Sequence, residues 1–225
     1  VTHKDPEETK KHFPNIYQKC LSIGIDITKE YIPVCPASHY LCGGIKVDEN
    51  ARTTINHLYA AGECTRTGLH GGNRLASNSL LEAIVYAEAA AQHSLPLIDN
   101  INWCDEIPEW NDEGTTLNEE MVLITQSEKE VNQIMQAYVG IVRSNLRLKR
   151  AFDRLELIYK ETESLFQRSV VSKEICELRN IVNTAYLVIK SAMQRKESRG
   201  LHYTIDYPKK NEHISLYDVE ELKKL

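Results

Sequence analysis

A chain of 225 residues with 42% hydrophobic residues, 26% charged residues and a formal net charge of −5 has an ordinary globular composition. It is long enough for one domain with a companion, and it is neither a disordered tail, a collagen-like repeat nor a low-complexity linker. No run of about 18 apolar residues offers a transmembrane helix, and the net negative charge argues against nucleic acid or an acidic membrane as a partner.

The chain opens at Val1, without a methionine, on the polar stretch VTHKDPEETKK, and reads as a piece of a longer protein. From His12 to Ile27 the apolar residues Phe13, Ile16, Tyr17, Cys20, Leu21 and Ile25 fall near helical spacing, with Pro14 in the first turn and Gly24 placed to end the helix. Ile32 to Val47 reads as extended chain leading into a strand over Gly44–Val47. After the polar break Asp48–Asn50, Leu58–Ala61 reads as a buried strand ended by Gly62. Gly62, Gly68, Gly71 and Gly72 then mark a loop before an alanine-rich helix from Ser79 to about His93, with Asn78 as its N-cap and Glu82 adding negative charge in the first turns. Pro96 to Asn118 reads as a linker pinned by Trp103 and Trp110.

The rest is helical. Val131, Met135, Tyr138, Val139 and Val142 form one stripe, and Leu148, Phe152, Leu155, Tyr159 and Phe166 a second. Ile175, Leu178, Val182, Ala185, Ile189 and Met193 form a third. Three amphipathic helices between Thr115 and Arg199 are expected to share one core, the last closed by Arg195-Lys196 and Gly200. The basic tract Arg143 to Arg154 is interleaved with Leu146, Leu148 and Phe152 and reads as a solvated helix face. The six cysteines contain no CxxC pair and have no histidine at zinc spacing. They read as small core residues of a cytoplasmic, reducing setting, with no metal and no secretory leader.

Chemistry gathers around the glycine-rich loop. A helix opening after such a loop offers unpaired N–H groups and the positive end of a dipole, fit for an anion or an electron-rich heterocycle; an ordinary buried, capped helix is the plainer alternative. Glu63 follows the apolar run, where the carboxyl end of a strand would present a carboxylate to ribose-like hydroxyls; a surface turn is the alternative. His39, His70 and Arg74 come from two loops and together suit a dicarboxylic acid, since arginine can hold a carboxylate with two hydrogen bonds and histidine can add another. Each histidine could equally be a satisfied loop residue.

The strings PASHYLCGG and LYAAGECTRTGLHGGNRLASNSLLEA resemble the FAD-dependent succinate dehydrogenase/fumarate reductase flavoprotein superfamily, and within it the L-aspartate oxidase family. HFPNIYQKC, YVGIVR and RKESRGLHYTIDYP carry the same likeness, which runs from about His12 to Pro208. Cys42, where respiratory members usually have methionine, and the wording TGLHG distinguish it from those members.

The resemblance implies that His39 contacts a substrate carboxylate and Arg74 clamps one. It implies that Glu63 lies at the ribityl side of FAD, and that the backbone of Ser79 and Leu80 reaches the flavin ring. Gly72 departs from the commoner alanine, with little consequence expected. The fold implied is an α+β fragment: residues 1–41 are the tail of a capping domain, 42–110 the C-terminal segment of an FAD-binding α/β domain, and 111–225 a helical domain. No GxGxxG fingerprint follows a strand, so the main dinucleotide-binding half and the proton-transfer arginine are expected upstream, leaving no catalytic residue here and FAD held weakly or not at all.

The chemistry implied for the parent is oxidation of L-aspartate to iminoaspartate, with flavin reoxidised by dioxygen or fumarate. That is a step of de novo NAD biosynthesis functionally linked to quinolinate synthase. The alternatives are a respiratory fumarate reductase or succinate dehydrogenase flavoprotein, which needs an iron–sulfur partner, and a non-catalytic helical interaction module, which needs an exposed apolar face on the helical region.

Overall fold

The computed structural model describes residues 3–35, 38–102, 104, 106–117 and 120–211. The chain divides into two compact units, Val1–Leu41 and Cys42–Leu225.

The first unit carries two short helices, α1 (Pro6–His12) and α2 (Pro14–Leu21). The helix α1 lies in the polar stretch that gave no apolar period. Its start is set by Asp5, whose side chain accepts the Glu8 N–H at 2.8 Å, and by Pro6 in the first turn. Capping and first-turn acids form it without an apolar stripe. Pro14 opens α2 as expected, but α2 stops at Leu21. Gly24, at φ +85°, follows it in the left-handed region that closes helices.

In the second unit β1 (Ile45–Lys46) pairs in parallel with β2 (Thr65–Arg66), in the register Ile45 to Thr65 and Lys46 to Arg66. The buried strand expected over Leu58–Ala61 is not formed. Tyr59 makes only an isolated bridge to Arg52, and Leu58 is 45% exposed. An apolar run specifies burial, and it becomes a strand only where a neighbouring strand accepts its ladder. Helix α3 (Asn78–Ile98) then runs further than expected, carrying Pro96 in its last turn. Trp110 is 70% exposed and so is not the buried anchor expected of it; Trp103 lies outside the described residues.

Three helices complete the unit: α4 (Met121–Tyr138), α5 (Asn145–Arg168) and α6 (Lys173–Gln194). Ser144 and Ser172 cap α5 and α6 by accepting the Arg147 and Ile175 N–H groups. Their stripes meet in one core built on Ile124, Val131, Ile134, Leu148, Ala151, Leu155, Ile158, Leu178, Val182 and Ile189, with Phe152, Tyr159 and Tyr186 packed on it.

Three local expectations change. Val142 lies beyond α4, outside the stripe. Gly200 does not close α6, which ends at Gln194 with Arg195 extended. Of the cysteines only Cys20 is buried, while Cys35, Cys64 and Cys104 are exposed. No described helix is long and apolar enough to cross a membrane.

Candidate functional site at the start of α3

The loop from Thr67 to Ser77 joins β2 to α3, and a buried carboxylate fastens it. Glu82, one turn into α3 and almost fully buried, accepts the Thr67 hydroxyl at 2.5 Å and the His70 Nε2–H at 2.6 Å, one on each oxygen. The Thr67 oxygen in turn accepts the Leu69 N–H at 3.1 Å, and two tight turns follow, with Gly71 N–H to Gly68 O and Asn73 N–H to His70 O. The two bonds, one to each end of the 67–70 turn, hold that turn against the helix. Glu82 is thus an anchor and not a helix-dipole charge. His70 is committed to it, which takes His70 out of the expected trio of His39, His70 and Arg74. The apolar flank of Leu81, Ala83 and Ile84 does not by itself single Glu82 out; its role follows from Thr67 and His70 reaching it in the folded chain.

Past the anchor, half-buried Arg74 donates from Nη1 to the Leu75 carbonyl at 3.2 Å. Helix α3 then opens without a side-chain cap. The N-cap is Ser77 in the left-handed region at φ 70°, and the expected N-cap, Asn78, is already the first helical residue. The N-terminus therefore keeps its backbone N–H groups and dipole uncovered by any capping side chain, with Ser79 half-buried and Leu80 exposed beside it. The structure thus brings Arg74, Ser79 and Leu80 to one loop–helix junction. Glu63 is exposed in the turn that precedes β2 and not at the carboxyl end of a strand, next to Gly62, where an added Cβ would stand 3.7 Å from the Ala83 side chain of α3. His39 is exposed in the first unit.

Behind the loop lies a second buried carboxylate that composition gave no reason to suspect. Glu197, 0% exposed, accepts from Arg195 Nη2 at 2.8 Å, from Arg199 Nε at 3.0 Å and from the Asn211 N–H at 2.9 Å. Burial pushes its carboxyl up, but these hydrogen bonds from Arg199, Asn211 and Arg195 outweigh burial and bring it down to about 2. Arg143, expected on a solvated face, is instead half-buried and donates from Nη1 to His202 Nδ1 at 2.8 Å. Arginine can only donate, so Nδ1 is the unprotonated nitrogen. Burial, then the Arg143 and Arg195 charges, lower the His202 pKa.

The FAD binding domain family matches residues 1–80, and the Fumarate reductase flavoprotein C-term family matches residues 128–219. The chain belongs to the succinate dehydrogenase/fumarate reductase flavoprotein superfamily. Within that superfamily it is 49% identical over 92% of its length to L-aspartate oxidase of Pseudomonas aeruginosa, covering 39% of that protein. It is 45% identical to L-aspartate oxidase of Vibrio cholerae, with the same coverages. It is also 45% identical to a chloroplastic L-aspartate oxidase of Nicotiana tabacum, of which it covers 34%.

Among solved flavoprotein structures, E. coli quinol fumarate reductase superposes with a TM-score of 0.75 at 25% identity, over 95% of this chain and 39% of that one. Mycobacterium smegmatis Sdh1 in complex with UQ1 superposes with a TM-score of 0.68 at 28% identity, over 92% and 37%. The chain thus spans about two fifths of the length of the proteins it matches. FAD is the cofactor of the family.

Proposed function

We propose that this chain is the C-terminal part of an FAD-dependent L-aspartate oxidase, which converts L-aspartate to iminoaspartate and passes the electrons to dioxygen or fumarate. In this reading the enzyme serves NAD biosynthesis upstream of quinolinate synthase. Residues 1–41 end its capping domain, 42–110 close its FAD domain, and 111–225 form its helical domain. The observation that carries the reading is 45–49% identity to L-aspartate oxidases over 92% of the chain, against 25–28% to respiratory flavoproteins.

FAD, when bound, supplies the two-electron acceptor. The uncapped start of α3 fits it: backbone N–H groups at Ser79 and Leu80 and the positive helix end suit the electron-rich edge of a flavin. Glu63 is assigned to the ribityl side. Arg74 is assigned to a substrate carboxylate, which two parallel N–H donors would hold and so orient for transfer, and the family resemblance assigns His39 to a substrate carboxylate as well. The remainder of such an enzyme would cover the exposed apolar side of α3, including Leu80, Leu81, Ile84 and Val85. The chain alone is therefore proposed to be inactive and to hold FAD weakly.

The test is anaerobic mixing of the FAD-loaded full-length protein with L-aspartate or succinate. Bleaching of the flavin by aspartate supports the reading. Bleaching by succinate alone overturns it in favour of a respiratory-type flavoprotein.

A further inference from the structure

Between α6 and the end of the described chain, residues 195–211 fold into a strap across the α4–α5 junction. Arg143 N–H donates to Tyr203 O, Ile205 N–H donates to Arg143 O, and Asp206 accepts the Asn145 N–H at 2.6 Å. The strap is internally braced by the buried Glu197 and by Ser198, whose hydroxyl donates to Tyr207 O at 2.8 Å and accepts the Thr204 N–H at 3.0 Å. Its tip is a two-residue turn, closed by Arg199 N–H to His202 O at 2.9 Å and His202 N–H to Arg199 O at 3.1 Å. Gly200 stands at φ +57° in the first central position, where such turns favour glycine.

That tip meets the glycine-rich loop. Leu201 N–H donates to the Gly72 carbonyl at 2.9 Å. The two backbones lie so close that a Cβ built on Gly200 would stand 2.2 Å from the Gly72 oxygen, while one on Gly72 would stand 3.2 Å from the Arg199 oxygen. Gly72 is two residues past His70, which Glu82 fixes, and two residues before Arg74, a reach of about 7 Å at most.

We propose that the Gly200–Leu201 tip is a positioning latch, which holds the 70–74 loop at Gly72 and so sets where the Arg74 guanidinium stands. The latch rests on the reading of Arg74 as a carboxylate clamp. His70 and the first turn of α3 fasten the ends of the loop, and the strap fastens its middle. The helical domain thereby reaches the substrate side of the site through one backbone hydrogen bond and one glycine–glycine contact. Because the approach is backbone to backbone, no rotamer change relieves a methyl added at Gly200, so the loop itself must move. A methyl at Gly72 asks for a few tenths of an ångström only.

The experiment uses the full-length holoenzyme at saturating FAD. It measures the L-aspartate dissociation constant from flavin absorbance, the FAD dissociation constant, and KM separately from kcat. Gly200→Ala displaces the loop, and Leu201→Pro removes the N–H without adding bulk at Gly200. Leu155→Ala weakens the bundle core, to which neither Gly72 nor the Gly200–Leu201 tip belongs. Each latch variant is expected to weaken aspartate binding and raise KM by about tenfold or more, as displaced positioning groups do, with FAD affinity unchanged. Leu155→Ala is expected to lower Tm and leave aspartate affinity alone. A wild-type aspartate dissociation constant in whichever of the two latch variants is obtained as holoenzyme overturns the latch. So does an equal loss in Leu155→Ala, which would make the effect one of general stability. Arg74→Lys, measured alongside, separates the two readings: a wild-type constant there overturns the clamp, whereas weakened Arg74→Lys with unaffected latch variants overturns the latch alone.

Discussion

Replacing Glu197 by glutamine isolates one buried charge whose surroundings are fully defined. The carboxylate is 0% exposed and accepts from two arginines and a backbone N–H. A carboxyl whose pKa falls from 4.5 to about 2 on folding contributes on the order of 3 kcal/mol at neutral pH, at about 1.4 kcal/mol per pH unit. Removing one partner of a buried pair costs about 3–5 kcal/mol, but Arg195 and Arg199 keep 31% and 26% exposure and some hydration, which favours the lower end. Glutamine also turns an N–H₂ toward donors that need an acceptor.

Urea unfolding of the chain at neutral pH should therefore find Glu197→Gln less stable by about 3 kcal/mol. The sign with pH is fixed by the depressed pKa. The wild-type advantage is complete above about pH 4.5, falls as the pH drops toward 2, and is roughly halved by about pH 3. The variant lacks this dependence, so the two curves converge in acid. A gap under about 1 kcal/mol at neutral pH, or one that persists unchanged in acid, would refute the reasoning.

Glu82→Ala should release the 67–70 turn by removing the acceptor of Thr67 and His70. Amide exchange at residues 68–72 is expected to accelerate while α5 and α6 stay protected, and unchanged exchange there would deny the anchor role. His202 should titrate below its ordinary 6.5, because burial and the neighbouring Arg143 disfavour its charged form. Its share of stability is then present above 6.5 and falls as the pH drops through the interval below it. A nitrogen-edited NMR titration finding His202 protonated at neutral pH would contradict this.

The bundle was legible because its signal is periodic and local. Leu148, Leu155, Ile175, Leu178, Val182 and Ile189 repeat at helical spacing and all are buried. The α5 face also buries Ala151 and Thr162, which share the helical spacing of Leu148, Leu155 and Ile158 but are too small or too polar to mark a hydrophobic stripe. Helix α1 was missed because capping by Asp5 and Pro6 forms it in a polar segment. The strand over Leu58–Ala61 was over-read because apolar content specifies burial and not the partner that provides it.

At the candidate site, the loop and the helix start were legible from Gly62, Gly68, Gly71, Gly72 and the alanine-rich run. The buried acids were not. Glu82 and Glu197 carry no distinguishing local pattern, and their roles depend on Thr67, His70, Arg195 and Arg199 arriving through the folded chain. The contact of Leu201 with Gly72 joins positions too far apart in sequence for spacing to suggest it.

The central claim is that the junction before α3 holds a substrate carboxylate through Arg74. It is tested most directly by titrating L-aspartate into the Arg74→Lys full-length protein after complete FAD loading, following the flavin spectrum. Lysine offers a point charge in place of two parallel donors, and loss of a paired charged contact costs about 2–5 kcal/mol. The account predicts an aspartate dissociation constant raised on the order of 30-fold or more, with FAD affinity retained. A wild-type aspartate constant with weakened FAD binding would contradict it, and would make Arg74 a brace of the glycine loop.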